Sequence, residues 1–289
     1  MPPTLAIGDR AYSSWSLRGW LLFEAFGLPV RTERAQIYTD ALPALLARFA
    51  PARTVPALRL DDGTVVADTL AIAEELASRH PEAGIWPDDP AARALARMMA
   101  AEMHSSYPAL RQACAMDLRR AYAGFEPPAA ALADLRRIEA LWSWAQDRHG
   151  GAGPWLFGAY SAADAFYAPV AARVASYGLP LGPAGAAYVA RHLAHGPFRR
   201  WRAMAQVDGP DQTIYHLDLP LVPWPGPAPL AARAVAAGPS VNATCPYSGK
   251  AVTDFLMLDG KTYGFCNPFC RDKTAADPAA WPAFMAITA

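Results

Sequence analysis

Over the first eighty residues, extended and helical patterns follow one another in the order strand, helix, strand, then strand, strand, helix. An apolar run at Leu5 to Ile7 reads as a short buried strand, and from Ser14 to Phe26 apolar residues recur at helical spacing behind a Ser-rich start. Gly27-Leu28-Pro29-Val30 stops that helix, and a second strand follows over residues 30–35. A strand, a helix and a parallel strand make a right-handed crossover in nearly all folds. Leu42 to Phe49 reads as a short helix ended by Ala50-Pro51. Val55 to Leu60 and Thr64 to Ala67, joined by the Asp62-Gly63 turn, read as a hairpin. Asp68-Thr69 then caps a helix over Leu70 to Ser78, whose apolar face is Leu70, Ile72, Ala73 and Leu76.

From Asp89 to about Met204 strand signals vanish, and Ala, Leu, Arg and Met dominate at helical spacing. The chain is thus an α/β domain followed by an all-α domain. One long helix is expected over Ala91 to Tyr122, kinked or loosened at Pro108, and a second from Pro128 through Ala145. Ser161 and Asp164 stand three apart ahead of an apolar helix, the spacing of a capping box, so Asp164 is read as structural.

Equal numbers of basic and acidic residues, 26 each, leave no net charge, which disfavours nucleic-acid binding. Asp9 and Arg10 interrupt the N-terminus before a signal-peptide core could form, and no stretch approaches the roughly 20 apolar residues of a membrane span. A cytoplasmic protein without membrane contacts is expected. Four cysteines in that reducing setting read as free thiols or metal ligands rather than disulfides.

A strand, a loop and a helix N-terminus meet at Ser13. Small hydroxyls there either cap the helix or donate to an anion held at its positive end. Pro56 opens a strand although it cannot donate to the ladder, which suits a fixed bend. These features, Ser13-Ser14, Val55-Pro56 and Asp68-Thr69, occur in one order within a unit that resembles a thioredoxin-like fold, and together they resemble the N-terminal domain of the glutathione transferase superfamily. The resemblance implies a cis Val55-Pro56 bond, with the Val55 backbone offered to the cysteinyl part of glutathione. It implies that Asp68 holds the γ-glutamyl amine by charge and Thr69 the γ-glutamyl carboxylate, and that Ser13 stabilises the glutathione thiolate with Ser14 as a second donor. Tyr12 competes for that role, because other classes use a Tyr near this point. Ser13-Ser14-Trp15 is similar to the Ser-Ser-Cys of the zeta class, which includes maleylacetoacetate isomerases, with Trp15 in place of the Cys.

The superfamily places its electrophile pocket against the first long helix of the all-helical domain. Trp15, Met103, His104, Tyr107 and Arg111 are the expected lining, with His104, Tyr107 and Arg111 on one helix face. Taken singly, His104 reads equally as a solvated helix residue and Tyr107 as a core aromatic. The run from Glu102 to Arg111 is similar to a bacterial subgroup whose first motif also reads Ser-Ser-Trp-Ser-Leu-Arg.

Residues 208–239 are Pro-rich and read as an extended linker. Beyond it, Cys245, Cys266 and Cys270 resemble the TRASH/YHS-type metal-binding modules. A unit of about 50 residues has a small core, and a metal commonly contributes to folding at that size. Thiolates suit Zn²⁺ or another soft metal. Ser248 stands where related modules have a further Cys, leaving Asp272, a water or nothing as fourth ligand; a module that keeps its fold without tight metal binding is the competing reading. Cys114 reads as a core thiol.

The expected organisation is a thioredoxin-like glutathione-binding domain at 1–81, an all-helical domain at 89–205, a Pro-rich linker at 206–240 and a Cys-containing module at 241–289. The expected function is a glutathione transferase that activates the thiolate for attack on small electrophiles or peroxides, working as a homodimer. The alternative is a metal-binding or sensing protein that uses the transferase body as a non-catalytic dimer scaffold.

Overall fold

The computed structural model describes residues 2–288 and divides into two units. Among the described residues the first comprises 2–193 and 211–225; the second comprises 194–210 and 226–288.

The first unit opens with the thioredoxin-like elements β1 (Thr4–Ile7), α1 (Ser14–Glu24), β2 (Arg31–Arg34), α2 (Ala41–Leu46), β3 (Ala57–Arg59), β4 (Val65–Ala67) and α3 (Thr69–Arg79). Their sheet has the order β2-β1-β3-β4. The β1/β2 pair is parallel and the others antiparallel, with Leu5 opposite both Thr32 and Leu58. Every residue of β1 is buried, as expected for a central strand covered on both faces. The helical region follows as α4 (Pro90–Ser105), α5 (Pro108–Ala113), the two-residue β5 (Ala121–Tyr122), α6 (Ala129–His149), α7 (Ala162–Tyr177) and α8 (Pro183–Ala194).

Helix α7 is buried at every position and forms the centre of this region. Its N-terminus is a capping box: the Ser161 N–H and hydroxyl donate to Asp164 at 2.8 and 3.0 Å. Asp164 also accepts from the Leu156 N–H and the Tyr188 hydroxyl, so four donors converge on one fully buried carboxyl. Asp164 is structural, as its spacing indicates.

The single long helix expected over 91–122 is instead α4 and α5. Between them Tyr107 adopts a left-handed conformation, φ 64°, ahead of Pro108, which removes a backbone donor and pushes the residue before it out of the α region.

The second unit holds α9 (Gly196–Val207), β7 (Ala232–Val235), β8 (Asp254–Leu258), β9 (Lys261–Phe265), α10 (Pro268–Ala276) and α11 (Pro282–Met285). Its sheet runs β7-β8-β9, and α9 packs on α10 with Arg199 paired to Asp277. Two expectations change here. Helix α9 clusters with the tail rather than with the helical domain proposed to end at 205. The expected linker at 206–240 contains paired strands: β6 (Leu221–Val222) lies antiparallel to β5 in the first unit, and β7 pairs with β8 in the second. Prolines are compatible with extended edge segments whose N–H groups need no partner, so Pro content alone does not separate a linker from an edge strand.

Candidate active site

Helix α1 begins at Ser13, whose oxygen accepts from the Ser16 N–H at 3.3 Å. The two hydroxyl oxygens lie 2.8 Å apart, and Ser16 Oγ also accepts from the Gly8 N–H at 2.9 Å. Ser16 is fully buried. Were Ser13 the donor, Ser16 Oγ would accept twice and its own hydrogen would be buried without an acceptor. With Ser16 donating to Ser13, every group is satisfied and the Ser13 hydrogen is released to point away from the helix. A half-buried hydroxyl at a helix N-terminus, already accepting two hydrogen bonds, is thereby prepared as a donor to an anion. Ser14 is buried.

Tyr12 is placed for different work. Its hydroxyl donates to Asp211 at 2.5 Å, accepts from the Gln212 N–H at 3.1 Å, and its ring stacks on Tyr215 with centroids 4.6 Å apart. Burial and then the Asp211 bond raise its pKa above the ordinary phenol value. Its proton is directed at Asp211.

Downstream of Ser13, a cavity of about 210 Å³ is lined by Trp15, Thr54, Val55, Pro56, Asp68, Thr69 and His104. The Val55-Pro56 bond is cis. Val55 precedes β3, and among the described residues its N–H and C=O pair with no other backbone group. Gly19, one α1 turn beyond Trp15, is required by this arrangement: a Cβ there would lie 2.7 Å from Pro56 Cγ and 2.9 Å from its Cβ, so the helix rests directly on the proline.

Asp68 caps α3, its carboxylate accepting from the Leu70 N–H at 2.8 Å. Its backbone sits at φ 81° and ψ 130°, a region that costs a non-glycine residue on the order of 1–3 kcal/mol and concentrates at functional sites. The other carboxylate oxygen is 3.1 Å from His104 Nε2. Thr69 is 1 % exposed, and its hydroxyl is buried without a hydrogen-bond partner, as is His104 Nδ1. Unpartnered polar atoms in a wall of backbone amides and a carboxylate fit a zwitterionic ligand.

Among the residues expected to line an electrophile pocket, Trp15 and His104 meet, with ring centroids 4.9 Å apart. Arg111 reaches the same place, its guanidinium 4.8 Å from the Trp15 ring centroid and its Nη1 donating to the carbonyls of His104 and Ser106. Met103 and Tyr107 are corrections. Met103 is wholly buried, and Tyr107 is 4 % exposed with its hydroxyl donating to Glu102 at 2.5 Å. The expected shared face assumed one unbroken helix, and the turn at Tyr107 resets the phase. Sequence reasoning also passed over Ser16, Gly19 and Arg18, which belong to the Ser-Leu-Arg-Gly run directly after the recognised serines.

In the second unit the sulfurs of Cys245, Cys266 and Cys270 lie within 4.8 Å of one another. Cys245 leads into a turn closed by the Gly249 N–H on its carbonyl, Cys266 directly follows β9, and Cys270 lies in the first turn of α10, capped by Asn267. Ser248 and Asn267 donate to Cys266 Sγ, each at 3.2 Å. Burial pushes the Cys245 thiol up, but hydrogen bonds from the N–H groups of Tyr247 and Cys266 and from the Ser248 and Cys266 side chains together outweigh it and bring its pKa to about 7. Asp272, considered as a further ligand, is held in a fork by Arg271 at 2.7 and 3.1 Å and is not part of the sulfur cluster. Cys114 is fully buried in the first unit, as a core thiol should be.

Residues 12–79 match the family described as glutathione S-transferase, N-terminal domain. No curated protein matches the sequence. Among solved structures, the chain is similar to a glutathione transferase homolog from Burkholderia GL BGR1 with bound glutathione, at TM-score 0.53 and 23% identity over 71% of this chain and 98% of that one. It is similar to glutathione transferase Omega 3C from Trametes versicolor at TM-score 0.54 and 20% identity, over 73% and 91% of the two chains. A maleylacetoacetate isomerase from Anaeromyxobacter dehalogenans 2CP-1, with glutathione in its active site, aligns at TM-score 0.52 and 25% identity over 72% and 98%. No helix among the described residues is long and apolar enough to cross a membrane.

Proposed function

We propose that the protein is a glutathione transferase acting on small electrophiles or peroxides, a reading supported by the match of residues 12–79 to the glutathione S-transferase N-terminal domain and by the similarity of the fold to solved glutathione transferases. The observation that carries this reading is the cavity in which cis Val55-Pro56, the strained Asp68 and the unpartnered Thr69 hydroxyl come together beside the head of α1. The Val55 backbone pairs with the cysteinyl amide of glutathione. Thr69 receives the γ-glutamyl carboxylate at the positive end of α3, and Asp68 receives the γ-glutamyl amine.

A free thiol has a pKa of roughly 8.5 and is mostly protonated at neutral pH. The Ser13 hydroxyl donates to the sulfur and favours the thiolate, whose proton leaves to solvent. The thiolate then attacks an electrophilic carbon: a C–S bond forms, and the leaving group departs with its bonding pair. Ser13 cannot serve as a base at this pH, so its contribution is stabilisation of S⁻, with Ser14 as a second donor. The proposed enzyme is a cytoplasmic homodimer, to be checked by sedimentation. Glutathione-agarose retention, calorimetry with glutathione and conjugation of an activated aryl halide test the reading. Failure of retention and of conjugation in the wild type would refute it.

A second reading is favoured by the sulfur cluster. Three thiolates within 4.8 Å suit Zn²⁺ or another soft ion, with Cys245, Cys266 and Cys270 holding it. The ion would join β9, α10 and the Cys245 turn, a contribution to folding rather than to conjugation. In the strong form of this reading the first unit is only a scaffold. One zinc per chain with no glutathione binding would select that form; zinc together with conjugation would leave both units functional.

A further inference from the structure

Two guanidinium groups lie over the Trp15 ring, and a third is near enough for its charge to act on one of them. Arg18, on α1, is 1 % exposed; its Nε donates to the Phe166 carbonyl at 2.8 Å, and its Cζ lies 4.5 Å from the Trp15 ring centroid. Its two remaining nitrogens, Nη1 and Nη2, are buried without a hydrogen-bond partner. Arg111, on α5, stacks on the same indole from a half-buried position. Arg173, on α7, is 4 % exposed and donates to the carbonyls of Cys114 and Pro169. Burial, then the charges of Arg173 and Arg111, depress the Arg18 pKa, and burial followed by Arg111 brings that of Arg173 to about 10. Among the described residues no carboxylate forms an ion pair with any of the three.

Such an arrangement is costly by itself. Buried cations are ordinarily paired, and unpartnered donors in a native interior call for an explanation. The aromatic face and the backbone carbonyls compensate part of the charge, but neither supplies an acceptor to the free Arg18 nitrogens. Trp15 also lines the cavity formed with Val55, Asp68 and Thr69, so the link between that cavity and the two guanidinium groups is the Trp15 ring over which both lie.

We propose that Arg111 and Arg18, at the Trp15 ring, form an anion subsite that selects electrophilic co-substrates carrying a carboxylate. This rests on the glutathione transferase reading and names its substrate class. The planar fork of a guanidinium matches a carboxylate bidentately, and the stacked indole holds both forks in place. Glutathione is the other source of a carboxylate. Its γ-glutamyl end is assigned to the Asp68-Thr69 wall, and the test separates its glycyl end from the co-substrate.

The experiment uses the full-length protein and two electrophiles that differ in one group, a chloronitrobenzoate and its methyl ester. Rates are corrected for the uncatalysed reaction with glutathione. The wild type is expected to favour the acid in kcat/KM by about 10- to 100-fold, the range of one charge-assisted bidentate contact. Arg111→Gln is expected to collapse the acid-to-ester ratio toward one, and Arg111→Lys to restore part of it. Arg18→Gln tests the deeper partner, with circular dichroism reporting whether it folds; the Arg111 pair decides the matter if it does not. Benzoate should inhibit competitively against the acid, and Arg111→Gln should weaken that inhibition. Equal wild-type handling of acid and ester overturns the subsite while leaving the transferase reading intact. So does an Arg111→Gln variant whose KM for glutathione rises while the ratio stays unchanged, since that assigns the cation to the glycyl carboxylate. Absence of conjugation with either compound overturns the transferase reading itself.

Discussion

Replacing Ser16 by alanine tests how the thiolate donor is prepared. Ser16 is buried and cannot touch glutathione, yet its hydroxyl is the group that turns the Ser13 hydrogen outward, because its own oxygen is already occupied by the Gly8 N–H. A hydrogen bond to a charged acceptor is worth about 1.5–3 kcal/mol, and one pKa unit corresponds to roughly 1.4 kcal/mol, so losing the Ser13 donor altogether raises the bound thiol by about 1–2 units. Ser13→Ala should show that full shift. Ser16→Ala keeps the Ser13 hydroxyl but frees it to rotate, so about half the shift is expected. The sign is fixed: a raised thiol pKa lowers the thiolate fraction below that pKa, about tenfold per unit, and the loss vanishes once the pH exceeds the pKa of both proteins. The assay is the pH dependence of kcat/KM for conjugation, paired with the ultraviolet absorbance of enzyme-bound thiolate. The double variant Ser13→Ala/Ser16→Ala should match Ser13→Ala alone, since Ser16 acts through Ser13. A Ser16→Ala profile superimposed on the wild type, with Ser13→Ala displaced, would refute the hydrogen-bond assignment. Stability provides the control: Ser16→Ala also leaves the buried Gly8 N–H without its acceptor, which costs about 1–3 kcal/mol of folding free energy whatever happens to the thiol.

Tyr12→Phe should leave the pH profile of conjugation where it is, because that phenol proton already belongs to Asp211; a displaced profile would return Tyr12 to the catalytic group. Gly19→Ala places a methyl group 2.7 Å from Pro56 Cγ and should destabilise the first unit by about 1–3 kcal/mol while weakening glutathione binding in calorimetry. In the second unit, burial and then Arg200 lower the His195 pKa to about 4. The folded state therefore holds His195 neutral below its unfolded value of about 6.5, so the stability it contributes is present above pH 6.5 and is lost as the pH falls toward 4. Denaturant titrations of the wild type and His195→Gln over that window should differ in slope, the variant being flatter.

The order of elements in the first eighty residues was legible because each boundary has a local chemical cause: Gly27 past α1, the Asp62-Gly63 turn, and Asp68 ahead of α3. Each acts within a few residues, so a single sequence displays it. The capping box at Ser161 and Asp164 was legible for the same reason. Pairing over long distances was not. The Ala121 to Val222 register spans about a hundred residues, and a Pro-rich stretch presents the same local signals whether it remains free or lies along an edge. Likewise, the helical face of Met103, Tyr107 and Arg111 was read from spacing that holds only while hydrogen bonding continues through residue 107. Pro108 warned of a kink. It did not show that the chain would pass through a left-handed residue and bury the tyrosine.

The site was read in the same uneven way, and the unevenness has a physical origin. The groups proposed to touch glutathione stood out in the sequence by residue type and place taken together: a serine at a helix start, a proline at a strand start and an aspartate ahead of a helix, in one order. The groups that prepare them do not stand out by type. Ser16 looks like any small helix residue, and only the fully satisfied chain from the Gly8 N–H through Ser16 to Ser13 reveals its part. Gly19 looks like a weak point in a helix until Pro56 is found against it. Arg18 resembles a surface arginine until its burial against Trp15 is seen, together with two other cations and no carboxylate. In each case the informative quantity is whether a donor, an acceptor or a charge has been balanced, and that balance is made by residues far apart in the chain. A substitution at Ser16 should therefore act on the thiol without touching it, and one at Arg111 should act on the choice of co-substrate while leaving the thiol alone, which is why the two together test this site more sharply than Ser13 alone.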